Sequence, residues 1–197
     1  MMMNLFLVKF LGLGLGIWIL IAVAVVLLGV LLGGYNGLAA GRNRVEEAFS
    51  TMDVYLKKRW DLIPNLVETV KGYAKHEKET LENVIAARNI NYSQLTPEQK
   101  IDANAEMSGF LGRLMAVSEN YPALQANQNF LGLQTQLQQI EADIANARKY
   151  YNAEVRAQNN RVTLFPSSLI AAMFRFKKEK YFEVAAANER ENVAVKF

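Results

Sequence analysis

The sequence predicts an all-α protein: a single N-terminal transmembrane helix, an antiparallel four-helix bundle of long helices, and an amphipathic C-terminal segment. Three observations carry this. Phe10 to Gly41 contains no charged residue. Beyond it, four prolines (Pro64, Pro97, Pro122 and Pro166) divide the chain into long runs whose apolar residues recur at three- and four-residue steps, the signature of one helix face. No strand-like alternation of any length appears. The expected segments are residues 1–16 as a short interfacial stretch, 17–41 as the membrane helix, 42–163 as the bundle and 164–197 as the tail.

A chain of 197 residues has room for one domain and an anchor. The formal charge of +3 is small and its basic residues are interspersed with acidic ones, so no nucleic-acid partner is expected. With no cysteine and a single histidine, disulfides, thiolate chemistry and a multi-histidine metal site within one subunit are excluded. No cofactor is expected.

A helix from Phe10 to Gly41 would reach roughly 48 Å, against a hydrocarbon core of roughly 30 Å. Gly12, Gly14 and Gly16 each weaken a helix by up to about 1 kcal/mol, so a break is expected there. The span is then about residues 17 to 35. Trp18 and Tyr35, separated by about 26 Å of helix, suit the two interfaces. Phe6, Lys9 and Phe10 would lie near one headgroup layer. Gly37-Leu38-Ala39 resembles a cleavage site, but the apolar run exceeds the roughly 7–15 residues of a signal peptide, so the segment is expected to stay attached. Arg42, Arg44, Lys57, Lys58 and Arg59 follow the span, whereas Lys9 and the amino terminus precede it. This bias places the C-terminal domain in the cytoplasm.

Gly29, Gly33, Gly37 and Gly41 recur every fourth residue. Such a stripe lets helix backbones approach closely in lipid and points to self-association, although glycine is also simply common in membrane helices. A conducting pore is not expected, because no polar or ionisable residue lies between Trp18 and Tyr35.

The first run beyond the membrane, to Trp60, carries Val45, Ala48, Phe49, Met52 and Leu56 on one stripe. Asp61 precedes Pro64 at an expected helix start, and the second run, about Ile63 to Asn91, buries Leu66, Val67, Val70, Tyr73, Ala74, Leu81, Val84 and Ile85. Lys75 with Glu79 and Lys78 with Glu82 are spaced to pair on its outer face. The third run opens on Thr96-Pro97-Glu98-Gln99, a capping box with proline at its first position, and continues to about Glu119. Gly109 and Gly112 within it either permit a close contact or weaken the helix. The fourth run, from Leu124 or Phe130 to Arg161, carries Leu133, Leu137, Ile140, Ile144, Ala147 and Tyr151. In the tail, Phe165, Phe174, Phe176 and Phe182 mix with Arg175, Lys177, Lys178 and Lys180. This suits either a lipid-surface helix or a contact within the bundle or oligomer.

The stretch RVEEAFSTMDVYLKKRWDLIPNLVETVKGYAKHEKETLENVIAAR (residues 44–88) resembles the LemA family. So do SENYPALQANQNFLGLQTQLQQIE, ARKYYNAEV and Phe165-Pro166. Arg59, Asp61, Ile63, Pro64, Asn65, Tyr73, His76, Glu77, Glu119, Tyr151 and Asn152 fall within the matching motifs. The resemblance implies a bacterial inner-membrane protein with one N-terminal span and a long-helix bundle; it implies no enzyme. Gln158 departs from the pattern, where an aromatic residue is expected, as does the proline-free end from Asn192 to Phe197.

His76-Glu77 invites a zinc-protease reading, but position 80 is Thr where a second histidine is needed. Asp61 is expected as a helix cap in preference to an ion pair with Arg59. Asn65, Glu119 and Asn127 are expected to make structural polar contacts. No nucleotide loop, nucleophile elbow or metal-spaced carboxylate motif occurs. The expectation is therefore a non-enzymatic membrane scaffold that forms homo-oligomers and contacts membrane lipid. The alternative is an adapter that docks another membrane protein, a protease or a signalling protein; a hydrolase ranks last.

Overall fold

The computed structural model describes residues 2–74, 76–88 and 91–182, with the side chains of 2–13, 15, 78, 87 and 88 left aside. The expectations for Phe6, Lys9 and Phe10 and for the Lys78 pair rest on side chains that are left aside, and those for Lys75 and for the end from Asn188 to Phe197 lie outside the described residues. Six α-helices and one 3-10 turn, with no strand, make up the described residues. All-helical architecture is thus as expected.

Helix α1 runs unbroken from Met2 to Tyr73, 72 residues, which corrects two expectations. The helix does not break at Gly12–Gly16. An unsatisfied backbone group in hydrocarbon costs several kcal/mol, more than the roughly 1 kcal/mol of a helical glycine. Nor does a new helix begin at Pro64, which lies inside α1. An interior proline costs about 3 kcal/mol. Around it, Trp60, Ile63, Leu66 and Val67 are all buried, and each such side chain returns about 1.5–3 kcal/mol. Burial outweighs the lost hydrogen bond, so packing carries the helix through.

After Tyr73 the Glu77 amide donates to the Ala74 carbonyl at 3.1 Å, and α2 follows from Lys78 to Arg88. The expected second run is therefore divided between the end of α1 and α2. A 3-10 turn, Tyr92–Gln94, leads to α3, Pro97–Glu119. Its capping box forms as predicted: the Gln99 amide donates to Thr96 Oγ1 at 3.3 Å, and the Thr96 amide donates to Gln99 Oε1 at 2.9 Å. A methyl group placed on Gly109 or Gly112 would meet nothing within 4 Å, so neither marks a close helix contact. The fourth run resolves into a single turn, α4 (Pro122–Gln125), and the long α5 (Gln128–Thr163). Asn127 starts α5, its Oδ1 accepting from the Phe130 amide at 3.0 Å. The tail forms a short α6, Ser167–Met173, reached through a cis Phe165–Pro166 bond, and then runs without regular structure to Phe182.

The chain divides into two compact units. The first comprises α1 up to Arg44 together with Ala157–Glu179. Its small core is Leu38, Ile170 and Ala171, with Val162 and Phe176 packed on them. The second comprises Val45–Arg156 and the chain from Lys180. It buries Val45, Met52, Leu56, Leu66 and Val70 of α1 with Leu81 and Val84 of α2, Met107 and Leu114 of α3, and Phe130, Ile144 and Val155 of α5. Tyr73 and Ile85, expected on the buried face, are exposed.

Candidate membrane and self-association surface

From Ile17 to Leu32 every large apolar side chain of α1 is exposed, Trp18 at 69% and Leu20 at 68%. Such a stretch is far beyond the apolar patches a water-facing monomer displays. It is long and apolar enough to cross a membrane.

The glycine ladder divides when space around it is considered. A methyl group placed on Gly29, Gly33 or Gly37 would meet nothing within 4 Å. On Gly41 it would run into Gln158 Oε1 and lie 2.6 Å from Arg161 Nη1. Gly34, which is off the ladder, would collide with Ile170 Cδ1. Gly34 and Gly41 thus serve packing within the chain, whereas Gly29, Gly33 and Gly37 keep their small profile towards open space.

Around Gly34 the first unit closes on itself. The Tyr35 ring lies 4.8 Å from that of Phe174 and 5.9 Å from that of Phe176. Helix α6 ends in a Schellman turn: the Phe176 amide donates to the Ala171 carbonyl at 2.9 Å, and the Arg175 amide to that of Ala172 at 3.3 Å. Arg175 takes the left-handed position, φ 59°, usually given to glycine. This turn folds Phe176 back onto Ala171 and Ile170. Gln158, where an aromatic residue was expected, is buried and donates to the Leu38 carbonyl at 3.1 Å. Asn159 holds both backbone groups of Glu179, donating to its carbonyl at 3.0 Å and accepting from its amide at 2.8 Å.

In the second unit, Asn152 grips Phe182 in the same way, at 3.0 and 2.9 Å, and Tyr151 donates to the Lys180 carbonyl at 2.9 Å. Phe182, expected at lipid or an oligomer contact, is instead a core residue beneath the Arg148 guanidinium. Phe176 is likewise half-buried, whereas Phe165, Phe174, Lys177 and Lys178 are exposed.

Among the motif residues of the second unit, Arg59 centres a polar cluster. Arg59, only 3% exposed, donates to the Asn104 carbonyl and Oδ1, to Ser108 Oγ and to Glu141 Oε1, all within 3.0 Å. Tyr92 donates to Asp53 at 2.7 Å, and Lys100 pairs with the other Asp53 oxygen. Burial, then the hydrogen bond to Asp53 and its charge, push the Tyr92 phenol well above its ordinary value. Asp61 neither caps a helix nor pairs with Arg59; it forms an exposed ion pair with Lys57, four residues earlier on α1. Tyr73 accepts from Asn127 at 2.8 Å, and Glu77 accepts from Tyr121 at 3.5 Å. His76 is exposed in the turn, and Asn65 and Glu119 are exposed on their helices, not buried in polar contacts. Glu119 borders a hollow of about 390 Å³ with Met115, Gln125, Phe130 and Gln134.

Sequence reasoning missed Asn104, Ser108 and Glu141 as partners of Arg59, and Asn159 and Gly34 as packing positions. One weak signal existed: Asn152 and Asn159 stand two turns apart on one helix. The partners of Arg59 lie 45 to 82 residues away, and no local pattern marks them.

The sequence model of the LemA family matches residues 48–197. The magnetosome protein MamQ 2 of Paramagnetospirillum magneticum is 25% identical over 191 residues, covering 84% of this chain and 70% of that protein. MamQ of Magnetospirillum gryphiswaldense is similar at the same identity and coverage. Protein LemA of Metamycoplasma hominis is 24% identical over 170 residues, covering 84% of this chain and 75% of that one. The family model covers most of the chain, and the chain belongs to the LemA family.

Proposed function

We propose that this protein is a non-enzymatic, membrane-anchored helical scaffold that self-associates and so organises or shapes membrane. The second unit is read as an antiparallel four-helix bundle held on the cytoplasmic face of a bacterial inner membrane by α1. One observation carries the reading: Gly29, Gly33 and Gly37 stand on an exposed apolar helix with open space before them. In lipid a smooth stripe of this kind is covered by a second helix, because close backbone approach is what drives association there. Two of the relatives bear names that assign them to the magnetosome. Among the described residues no group of acidic or imidazole side chains is placed to hold a metal ion.

The chain has no native cysteine, so Gly33→Cys and Gly37→Cys report contact without background. Oxidation in cells is expected to give crosslinked homodimers at both positions. A dominant crosslink to a different protein would favour an adapter that docks another membrane protein. Absence of any crosslink would overturn the scaffold.

A further inference from the structure

We propose that the α5–α6 corner is a second membrane element, inserted into the leaflet at which α1 leaves the bilayer. This rests on α1 spanning the membrane but not on self-association. It concerns the first unit alone.

Ile170 packs on Gly34, Ile170 and Ala171 pack on Leu38, and the Phe174 ring lies against Tyr35. Gly34 to Leu38 are the last turn of the apolar stretch and the first turn beyond it. Helix α6 is therefore fixed at the depth where hydrocarbon gives way to headgroups. Ile170 and Ala171 use one face of α6 for this attachment. Other apolar side chains here are exposed: Leu164, Phe165, Leu169 and Met173, with Phe165 at 80%, and the outer part of Phe174 beyond its contact with Tyr35. Leu169 and Met173, four residues apart, share one face.

Leu164, Phe165, Leu169 and Met173 stay more than half exposed, and Phe174 is covered on one side only, by Tyr35; they sit beside a helix whose own apolar surface is bare. Through Ile170 beside Gly34 and Phe174 beside Tyr35, the patch adjoins the end of the apolar stretch of α1. The charges agree. Arg175, Lys177 and Lys178 follow α6 directly and are exposed, so cations succeed the apolar residues as headgroups succeed acyl chains. The occupant is thus lipid: acyl chains against Leu169 and Met173, anionic headgroups against the cations. Inserted beside a single span, this corner adds area to one leaflet and not the other, which gives an array of copies a means of bending the membrane.

The test uses the full chain in vesicles of phosphatidylcholine and phosphatidylglycerol. Single cysteines at Leu169→Cys and Met173→Cys carry an environment-sensitive fluorophore. Leu27→Cys marks the span and Glu98→Cys the exposed surface of α3. Lipids bearing a nitroxide near the top of the acyl chain are expected to quench the labels at 169 and 173 at least about threefold more than that at 98. Labels at 169 and 173 as water-exposed as that at 98, while Leu27→Cys is quenched, overturn the insertion and leave the anchor standing. A blue-shifted but unquenched label overturns it in favour of cover by protein. An unquenched Leu27→Cys removes the anchor itself, and the inference with it.

Discussion

Through Nη2, Arg59 donates to two oxygens of one residue, the Asn104 carbonyl at 2.9 Å and its Oδ1 at 2.7 Å. Its Nη1 meanwhile reaches Glu141 on α5 at 2.8 Å. One guanidinium on α1 thereby joins α3 and α5 inside the second unit. Truncating it leaves the Asn104 oxygens without their charged donor. Arg59→Met is expected to destabilise the folded chain by about 2–3 kcal/mol. Arg59→Lys should recover little, because one ammonium cannot reproduce the fork. Glu141 is 45% exposed, so Glu141→Gln is expected to cost under about 1 kcal/mol. Thermal unfolding followed by circular dichroism in detergent ranks the three; equal losses for Arg59→Met and Glu141→Gln would refute the ranking.

Tyr92 gives a pH dependence of known sign. Its folded pKa is raised above the ordinary 10.0 by burial and by Asp53. The neutral phenol is the form the fold prefers, so its contribution is complete below about pH 10 and shrinks as pH rises through the folded value. Stability is expected to fall between about pH 10 and 11.5 by up to about 1.4 kcal/mol per pH unit from this group. Tyr92→Phe should be weaker at neutral pH by about 1 kcal/mol, having lost the bond to Asp53, yet flatter over the alkaline range. Denaturant midpoints of both proteins across that range check it; parallel curves would contradict it.

The glycines separate packing from association. Gly34→Leu must displace Ile170 from its place beside Leu38 and is expected to destabilise the first unit by about 1–3 kcal/mol. Gly33→Leu meets open space, so its unfolding temperature should stay unchanged while its particle size in mild detergent falls. Unfolding and light-scattering measurements on the same samples would show the two effects parted.

Asn152 holds both backbone groups of Phe182. Asn152→Ala removes two hydrogen bonds worth about 1 kcal/mol each, so local opening should rise roughly 10–30-fold. Trypsin cleavage after the exposed Lys180, timed by mass spectrometry, is expected to accelerate by about that factor. An unchanged rate would mean that the grip does not hold this segment.

How far the sequence foretold these features follows from the range of the forces involved. The helices were readable because their periodicity and caps are local, and Thr96–Gln99 formed the capping box its spacing predicted. Pro64 misled, because its local cost is outweighed by the burial of Trp60, Ile63, Leu66 and Val67, which depends on residues far along the chain. Asp61 was misread with it: once the helix continues, no free amides remain for it to cap. The tail was ambiguous because alternating aromatic and basic residues suit lipid and core alike. Only tertiary packing sends Phe182 inward while Phe165 and Phe174 stay outside. The stripe of glycines was legible as a whole, but its division between Gly41 and the other three needed the positions of Gln158 and Arg161.

The central claim is that many copies meet through the open face of α1. Its most direct test is the mass of single particles extracted together with their native lipid, compared with the triple variant Gly29→Leu, Gly33→Leu, Gly37→Leu. Particles holding several chains are expected for the natural sequence, and single chains for the variant. Particles with one chain each in the natural protein would contradict it.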